Sequence, residues 1–104
     1  MNLSKEQFDV IFRFVDTSYV LKMYDKNNNC ILTLRLGKKE VLIDKTTITV
    51  LDGKGSEFWF DYSSVEVDSI NVVRFYNTNG LYISVENNFL DALLTNDLMR
   101  LFNL

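Results

Sequence analysis

The sequence predicts an α+β fold. The expected architecture is a strongly bent antiparallel sheet or partly open barrel of about seven strands, connected as a meander, with an N-terminal and a C-terminal helix packed on it. Two observations support this. Apolar residues recur at helical spacing near both ends of the chain and alternate with polar residues in between. Short turns rich in Asn, Asp and Gly separate the alternating segments, which favours consecutive hairpins.

The first helix is predicted to begin after Ser4. Gln7 follows three residues later, at the spacing of a capping box. Four residues at helical spacing form the predicted apolar face: Phe8, Ile11, Phe12 and Val15. The polar residues 16–18 are expected to end the helix. Val10 and Phe14 lie beside this face, so burial on two sides, within the fold or across a dimer, is an alternative.

Strands with alternating side chains are predicted next. Residues 19–24 and 30–36 form a hairpin around residues 25–29, with Cys30 as a small buried hydrophobe at the start of its second strand. Further strands are predicted at residues 41–43, 47–51, 57–62, 71–76 and 81–85. Residues 63–69 are compatible with a strand or a loop. The turn signals are strongest at residues 52–56 and at Asn79-Gly80.

The second helix is predicted to be capped by Asn88, with Asp91 at its third position. Its apolar stripe consists of Leu90, Leu93, Leu94, Leu98, Leu101 and Phe102. Residues 95–97 are a possible kink. In element order alone, residues 19–104 resemble a pleckstrin-homology-like barrel, in which seven strands precede a capping helix. No diagnostic motif accompanies this resemblance, and fold does not carry function.

Length and composition indicate one globular domain, residues 1–104. The hydrophobic fraction is 47% and the charged fraction 24%. The chain has no histidine and one cysteine, which removes the commonest general base, most zinc sites and Cys–His nucleophile pairs. We therefore expect a protein that is not an enzyme, with no catalytic residue, no metal and no cofactor.

The charge balance argues against a nucleic-acid partner. Eleven Lys and Arg stand against fourteen Asp and Glu, for a formal net charge of −3. The cluster of Arg35, Lys38 and Lys39 is better explained as a solvated turn than as a phosphate site. No leader or membrane-spanning run is evident. With Cys30 alone, the expected location is the cytoplasm, or the host cytoplasm for a viral or phage protein.

Two candidate chemical motifs fail on spacing. Glu57 and Asp61 lie four residues apart on a predicted strand, roughly 13 Å, which exceeds the separation of glycosidase carboxylate pairs. Residues 53–56, Gly-Lys-Gly-Ser, lack the spacing of a phosphate-binding loop and are better explained as a hairpin turn.

The most informative segment contains the only tryptophan, Trp59, between Glu57 and Asp61. Alternation directs Phe58, Phe60 and Tyr62 to the core and Trp59 to the opposite face. Trp59 is then either an exposed interface anchor or covered by a helix. Tyrosines could contribute to a similar surface, and the predicted partner-binding residues are Glu57, Trp59, Asp61, Tyr76 and Tyr82.

The leading hypothesis is a non-enzymatic protein-binding module of inhibitor, immunity or phage accessory type, whose partner is another protein or a second copy of the chain. One alternative is a small-molecule or lipid carrier that uses the barrel interior, since eight Phe and many Leu could line a pocket. Another is a homo-oligomeric structural subunit. No nucleic-acid or membrane partner is expected.

Overall fold

The computed structural model describes residues 3–37, 39–52, 54–55 and 57–104. These residues form an N-terminal helix, eight strands and a C-terminal helix, which confirms the predicted fold class. Residues 63–69, whose sequence is compatible with a strand or a loop, supply the additional strand. The elements are α1 (Lys5–Asp16), β1 (Val20–Tyr24), β2 (Cys30–Arg35), β3 (Glu40–Ile43), β4 (Thr47–Leu51), β5 (Glu57–Asp61), β6 (Ser64–Ser69), β7 (Val72–Tyr76), β8 (Tyr82–Glu86) and α2 (Ala92–Phe102).

The strands form two antiparallel sheets that do not close into a barrel. One has the order β2-β1-β8-β7-β6 and the other the order β3-β4-β5. β1 pairs with β8 as well as with β2, so the five-stranded sheet is not a simple meander. The chain passes between the sheets at residues 62–63. The amide of Tyr62 donates to the carbonyl of Thr46, directly before β4, and the amide of Ser63 donates to the carbonyl of Tyr76 at the end of β7, both at 2.8 Å.

The core lies between the two sheets and beneath the helices. The five-stranded sheet contributes its inward row of apolar side chains, and the three-stranded sheet and both helices contribute the rest. The buried residues include Val10, Ile11, Phe14, Val15, Leu21, Ile48, Val50, Phe60, Val73, Phe75, Ile83, Val85, Leu94 and Leu98. Neither helix in the described part of the chain has the length and apolarity needed to cross a membrane.

The capping box of α1 is confirmed, but its buried face differs from the predicted one. Ser4 and Gln7 exchange backbone and side-chain hydrogen bonds at 3.0 and 3.1 Å. Val10 and Phe14 are buried, whereas Phe12 is 37% exposed and Phe8 is half-buried.

This rotation of α1 follows from where α2 packs. The Gln7 side-chain amide donates to the carbonyl of Leu101 at 2.9 Å, and Arg13 pairs with Asp97 at 2.6 Å. Gln7 and Arg13 flank Val10 on the helix surface, so α2 covers the Val10 side of α1 and leaves Phe12 partly exposed.

The predicted start of α2 at Asn88 is wrong, because Asp91 is its N-cap and accepts from the amide of Leu94 at 2.7 Å. Just before it, Asn87 is buried at 1% exposure and donates to the carbonyl of Phe14 at 3.0 Å. This contact ties the segment before α2 to the end of α1. The helix then continues through residues 95–97 without interruption.

The prediction that Cys30 is buried is also wrong. Cys30 begins β2 as expected, but its side chain is exposed. A bulge lies next to it, since Met23 pairs with Leu32 whereas Tyr24 pairs with Cys30. One extra residue in β2 shifts the alternation, so Cys30 shares the outer face with Tyr24 instead of lining the core with Leu34.

Candidate functional site

The outer surface of the three-stranded sheet is the candidate site. Ile48, Val50 and Phe60 alternate toward the core. The intervening side chains point outward, and we call their surface the Trp59 face. It consists of Glu40, Leu42, Thr47, Thr49, Leu51, Glu57, Trp59 and Asp61.

Trp59 is exposed, so no helix covers it. Its exposed fraction is 67%, and its indole Nε1 donates to Glu57 Oε2 at 2.7 Å. In the strand register Trp59 lies opposite Thr49, and Thr49 lies opposite Leu42, which is 48% exposed. Directly opposed residues on one sheet face are in side-chain contact range. Leu42, Thr49 and Trp59 therefore form a continuous row across all three strands, with large apolar side chains at both ends.

Carboxylates border this row. Glu40, Glu57 and Asp61 are exposed, and none of them forms an ion pair with another described residue. Asp61 accepts a hydrogen bond from the Thr47 hydroxyl at 3.0 Å, which orients the carboxylate without neutralising it. The Trp59 face therefore combines an exposed indole with three carboxylates that no described cation pairs with.

The structure places Tyr76 and Tyr82 on the other sheet. Tyr82 in β8 stacks on Tyr24 in β1 with ring centroids 5.0 Å apart, and it contacts Tyr76 in β7 at 5.1 Å. Its hydroxyl donates to Asn28 at 2.9 Å. The five predicted partner-binding residues are thus divided. Glu57, Trp59 and Asp61 lie together, whereas Tyr76 and Tyr82 belong to a tyrosine row on the five-stranded sheet.

The charges around the tyrosine row are compensated. Arg74 lies 3.4 Å from Asp68 and 3.8 Å from Glu66, and Lys22 lies 3.7 Å from Glu86. The tyrosine rings also pack on one another, so each is half-buried. Because its groups already have partners, this surface has fewer free groups to offer a ligand than the Trp59 face.

The pKa values of Tyr62 and Asp44 are shifted by contacts that stabilise the fold. Burial, with the nearby charge of Asp44, raises the pKa of Tyr62 to about 12, and the Tyr62 hydroxyl donates to the carbonyl of Asp44. Hydrogen bonds from the amides of Thr46 and Thr47 lower the pKa of Asp44, which shapes the β3–β4 turn. These residues hold a turn and a sheet corner together.

Other predicted features bear less on function. In the described ranges, no group of three or more Cys, Asp or Glu could hold a metal ion. Gly53, Ser56 and Lys38 lie outside the described residues, so the predicted turn at residues 52–56 and the basic cluster are seen only in part. In that turn Lys54 donates its amide to Asp52 at 2.8 Å, and Gly55 has a φ of +91°.

Sequence inspection missed Glu40, Leu42 and Thr49 as members of the site. Alternation within β3 places Glu40 and Leu42 on the face opposite buried Val41. The outward direction of these two side chains could therefore have been predicted from the sequence. Their position beside Trp59 depends on the strand register, which the sequence alone did not specify.

Comparison of the chain with protein-family models, with curated proteins and with solved structures finds no match. Interpretation of the Trp59 face therefore rests on its geometry and charge.

Proposed function

We propose that this chain is a small non-enzymatic module that binds a protein partner through the Trp59 face. It would act in the cytoplasm as an inhibitor, immunity or phage accessory protein. The observation that carries the proposal is a tryptophan 67% exposed on a regular strand, beside carboxylates that have no ion-pair partner among the described residues. Tryptophan dominates interface hot spots, whereas a solvated indole contributes little to the stability of an isolated domain.

The indole is also preorganised. Its hydrogen bond to Glu57 limits rotation, and the strand backbone is held by the antiparallel pairing of β5 with β4. An anchor that is already ordered loses less conformational entropy on binding. The surrounding carboxylates favour a partner with basic residues around an apolar pocket, because opposite potentials speed association and exclude acidic partners.

The test is affinity capture from the cells that encode the protein, with immobilised wild type compared against Trp59→Ala and Glu57→Lys. Loss of a central anchor is expected to weaken binding by about thirtyfold or more, the effect of a hot spot of about 2 kcal/mol. Phe89→Ala is the matched aromatic control, since Phe89 is 71% exposed outside the Trp59 face, and Asp16→Lys is the charge control. Unchanged capture by both Trp59 face variants would contradict the proposal.

One observation favours the alternative function of a small-molecule carrier. A groove of about 600 Å³ lies between the start of α1 and the β3–β4 turn, lined by Leu3, Phe8, Lys5 and Lys45 among others. Its volume is in the range of ligand sites. It lies on the surface and not in the barrel interior where the sequence placed a pocket. Native mass spectrometry that shows a retained small molecule, lost in Phe8→Ala, would support this function.

A further inference from the structure

The β5 backbone presents, at its outer edge, N–H and C=O groups that pair with no other strand of the described chain. The amide of Tyr62 donates to the carbonyl of Thr46, and Asp61 lies opposite Thr47. In antiparallel pairs, residues that bond to the neighbouring strand alternate with residues that do not. Phe58, Phe60 and Tyr62 therefore bond toward β4. The N–H and C=O groups of residues 57, 59 and 61 point away from it.

This edge differs from the other three sheet edges. β2 carries a bulge next to Cys30, and β6 carries a register shift between Val67 and Ser69. β3 is the strand against which α1 packs. Bulges and covering elements are the usual means of preventing strand addition. The β5 edge has neither: its pairing with β4 is regular, and β4 is the only strand beside it in the described chain.

We propose that β5 accepts an extended basic segment of the partner as an additional antiparallel strand. This inference rests on the proposed function and specifies how the partner binds. Main-chain hydrogen bonds to residues 57, 59 and 61 would provide affinity, and alternate side chains would provide specificity.

The side chains of β5 define the segment that fits. Residues opposite Glu57 and Asp61 would share their outer face and meet two carboxylates, so Lys or Arg fits at both positions. The residue between them would meet Trp59, so an apolar side chain fits there. The two residues that point to the inner side would meet Phe58, which is half-buried, and Phe60. The expected pattern is therefore basic, apolar, apolar, apolar, basic.

A second copy of this chain fits the edge poorly. Antiparallel pairing of two β5 strands around a two-fold axis at Trp59 would place Glu57 of each copy opposite Asp61 of the other. Like charges directly opposite each other destabilise a sheet. A basic segment replaces both repulsions with attractions, which is why we assign the edge to a different protein.

The test uses the peptide acetyl-Thr-Lys-Val-Leu-Val-Lys-Thr-amide as the probe, with fluorescence of the only tryptophan as the readout. Saturable change in Trp59 emission is expected for this peptide. The same peptide with both Lys replaced by Glu is expected to bind at least tenfold more weakly, because it would meet like charges. Absence of binding by the basic peptide, or equal binding by the acidic one, would overturn the proposal.

N-methylation provides the matched control for backbone pairing. The Leu amide opposite Trp59 would point toward β5, whereas the Val amides would point away. N-methyl-Leu peptide is expected to bind about tenfold more weakly, and the peptide with one N-methyl-Val within about twofold of the parent. On the protein, Asp61→Pro and Asp61→Asn both remove the carboxylate, but only Asp61→Pro also removes the outward N–H. The Pro variant should therefore bind the peptide about tenfold more weakly than the Asn variant. Equal binding by both N-methylated peptides would overturn strand addition.

These outcomes separate the inference from the proposed function. If partner capture depends on Trp59 but the peptide titrations do not show the expected differences, the Trp59 face binds its partner without strand addition. If partner capture is unaffected by both Trp59→Ala and Glu57→Lys, the proposed function itself fails, and the inference fails with it.

Discussion

Replacement of Asn87 by Ala is expected to destabilise the protein strongly. The Asn87 side chain is 1% exposed and makes three hydrogen bonds. Its amide donates to the Phe14 carbonyl at 3.0 Å and to the Thr17 hydroxyl at 2.8 Å, and its oxygen accepts from the amide of Phe89 at 2.9 Å. These bonds join the end of α1 to the segment that leads into α2.

The expected cost of Asn87→Ala is about 3 kcal/mol. A buried polar group left without its partner costs about 1–3 kcal/mol, and the Phe14 carbonyl is the most buried of the three partners. The other two are partly buried and regain some solvent contact, so they add less. For a domain of this size the loss corresponds to a fall in Tm of about 15 °C.

Urea denaturation followed by far-ultraviolet circular dichroism measures this change. Asn96→Ala is the control, since Asn96 is exposed on α2 and its replacement should alter the free energy of unfolding by less than about 0.5 kcal/mol. A loss of less than about 1 kcal/mol for Asn87→Ala, at an unchanged m-value, would refute the role assigned to this side chain.

Three further predictions concern charge and exposure. Fluorescence of Trp59 should be quenched more strongly by caesium than by iodide, because carboxylates surround the indole. Glu57→Gln should reduce the difference between the two quenchers. Stronger quenching by iodide would contradict a negative potential around Trp59. The hydrogen bond from Arg13 lowers the pKa of Asp97 below its ordinary value of 3.8, so its contribution to stability is complete well above that pH and is lost as the pH falls through the lowered pKa. Asp97→Asn should therefore lower Tm at pH 7 and flatten the acid side of the Tm–pH profile. A variant profile that runs parallel to that of the wild type on the acid side would contradict this. Burial raises the pKa of Tyr62 from 10.0 to about 12, so its contribution is complete below pH 10 and is lost as the pH rises to 12. Tyr62→Phe should flatten the alkaline side of the profile, and an unchanged alkaline slope would count against that assignment.

Features that depend on neighbouring residues in the chain were predictable. The capping box at Ser4 and Gln7 uses groups only three residues apart, and the structure contains both of its hydrogen bonds. The turn at Asn77–Gly80 was predicted from residue type, and Gly80 has the positive φ of 85° that such turns favour. Local chemistry determines these features, so the sequence reports them directly.

Features that depend on distant contacts were not predictable. Pairing of Val20 with Glu86 joins the first and last strands, and no turn between them signals it. Asn88 was predicted as the cap of α2, but burial of Asn87 against α1 accompanies a later start, and Asp91 is the cap. Cys30 faces solvent because of one bulge, which reverses an alternation that is otherwise regular.

The same division applies to the candidate site. Strand alternation correctly directs Trp59 away from the core, because that requires only the period of β5. Grouping Tyr76 and Tyr82 with it relied on residue type, and the topology places them on the other sheet. Leu42 reaches the site through the register of two strand pairs, which tertiary packing determines.

Site-specific photocrosslinking in the cells that encode the protein tests the central claim most directly. A photoreactive residue is placed at Leu42, which is 48% exposed on the Trp59 face, or at Phe89, which is 71% exposed and lies outside it. Binding through the Trp59 face predicts a protein adduct from position 42 that disappears with Trp59→Ala, and no such adduct from position 89. Adducts from position 89 alone, or an adduct from position 42 that persists with Trp59→Ala, would contradict it.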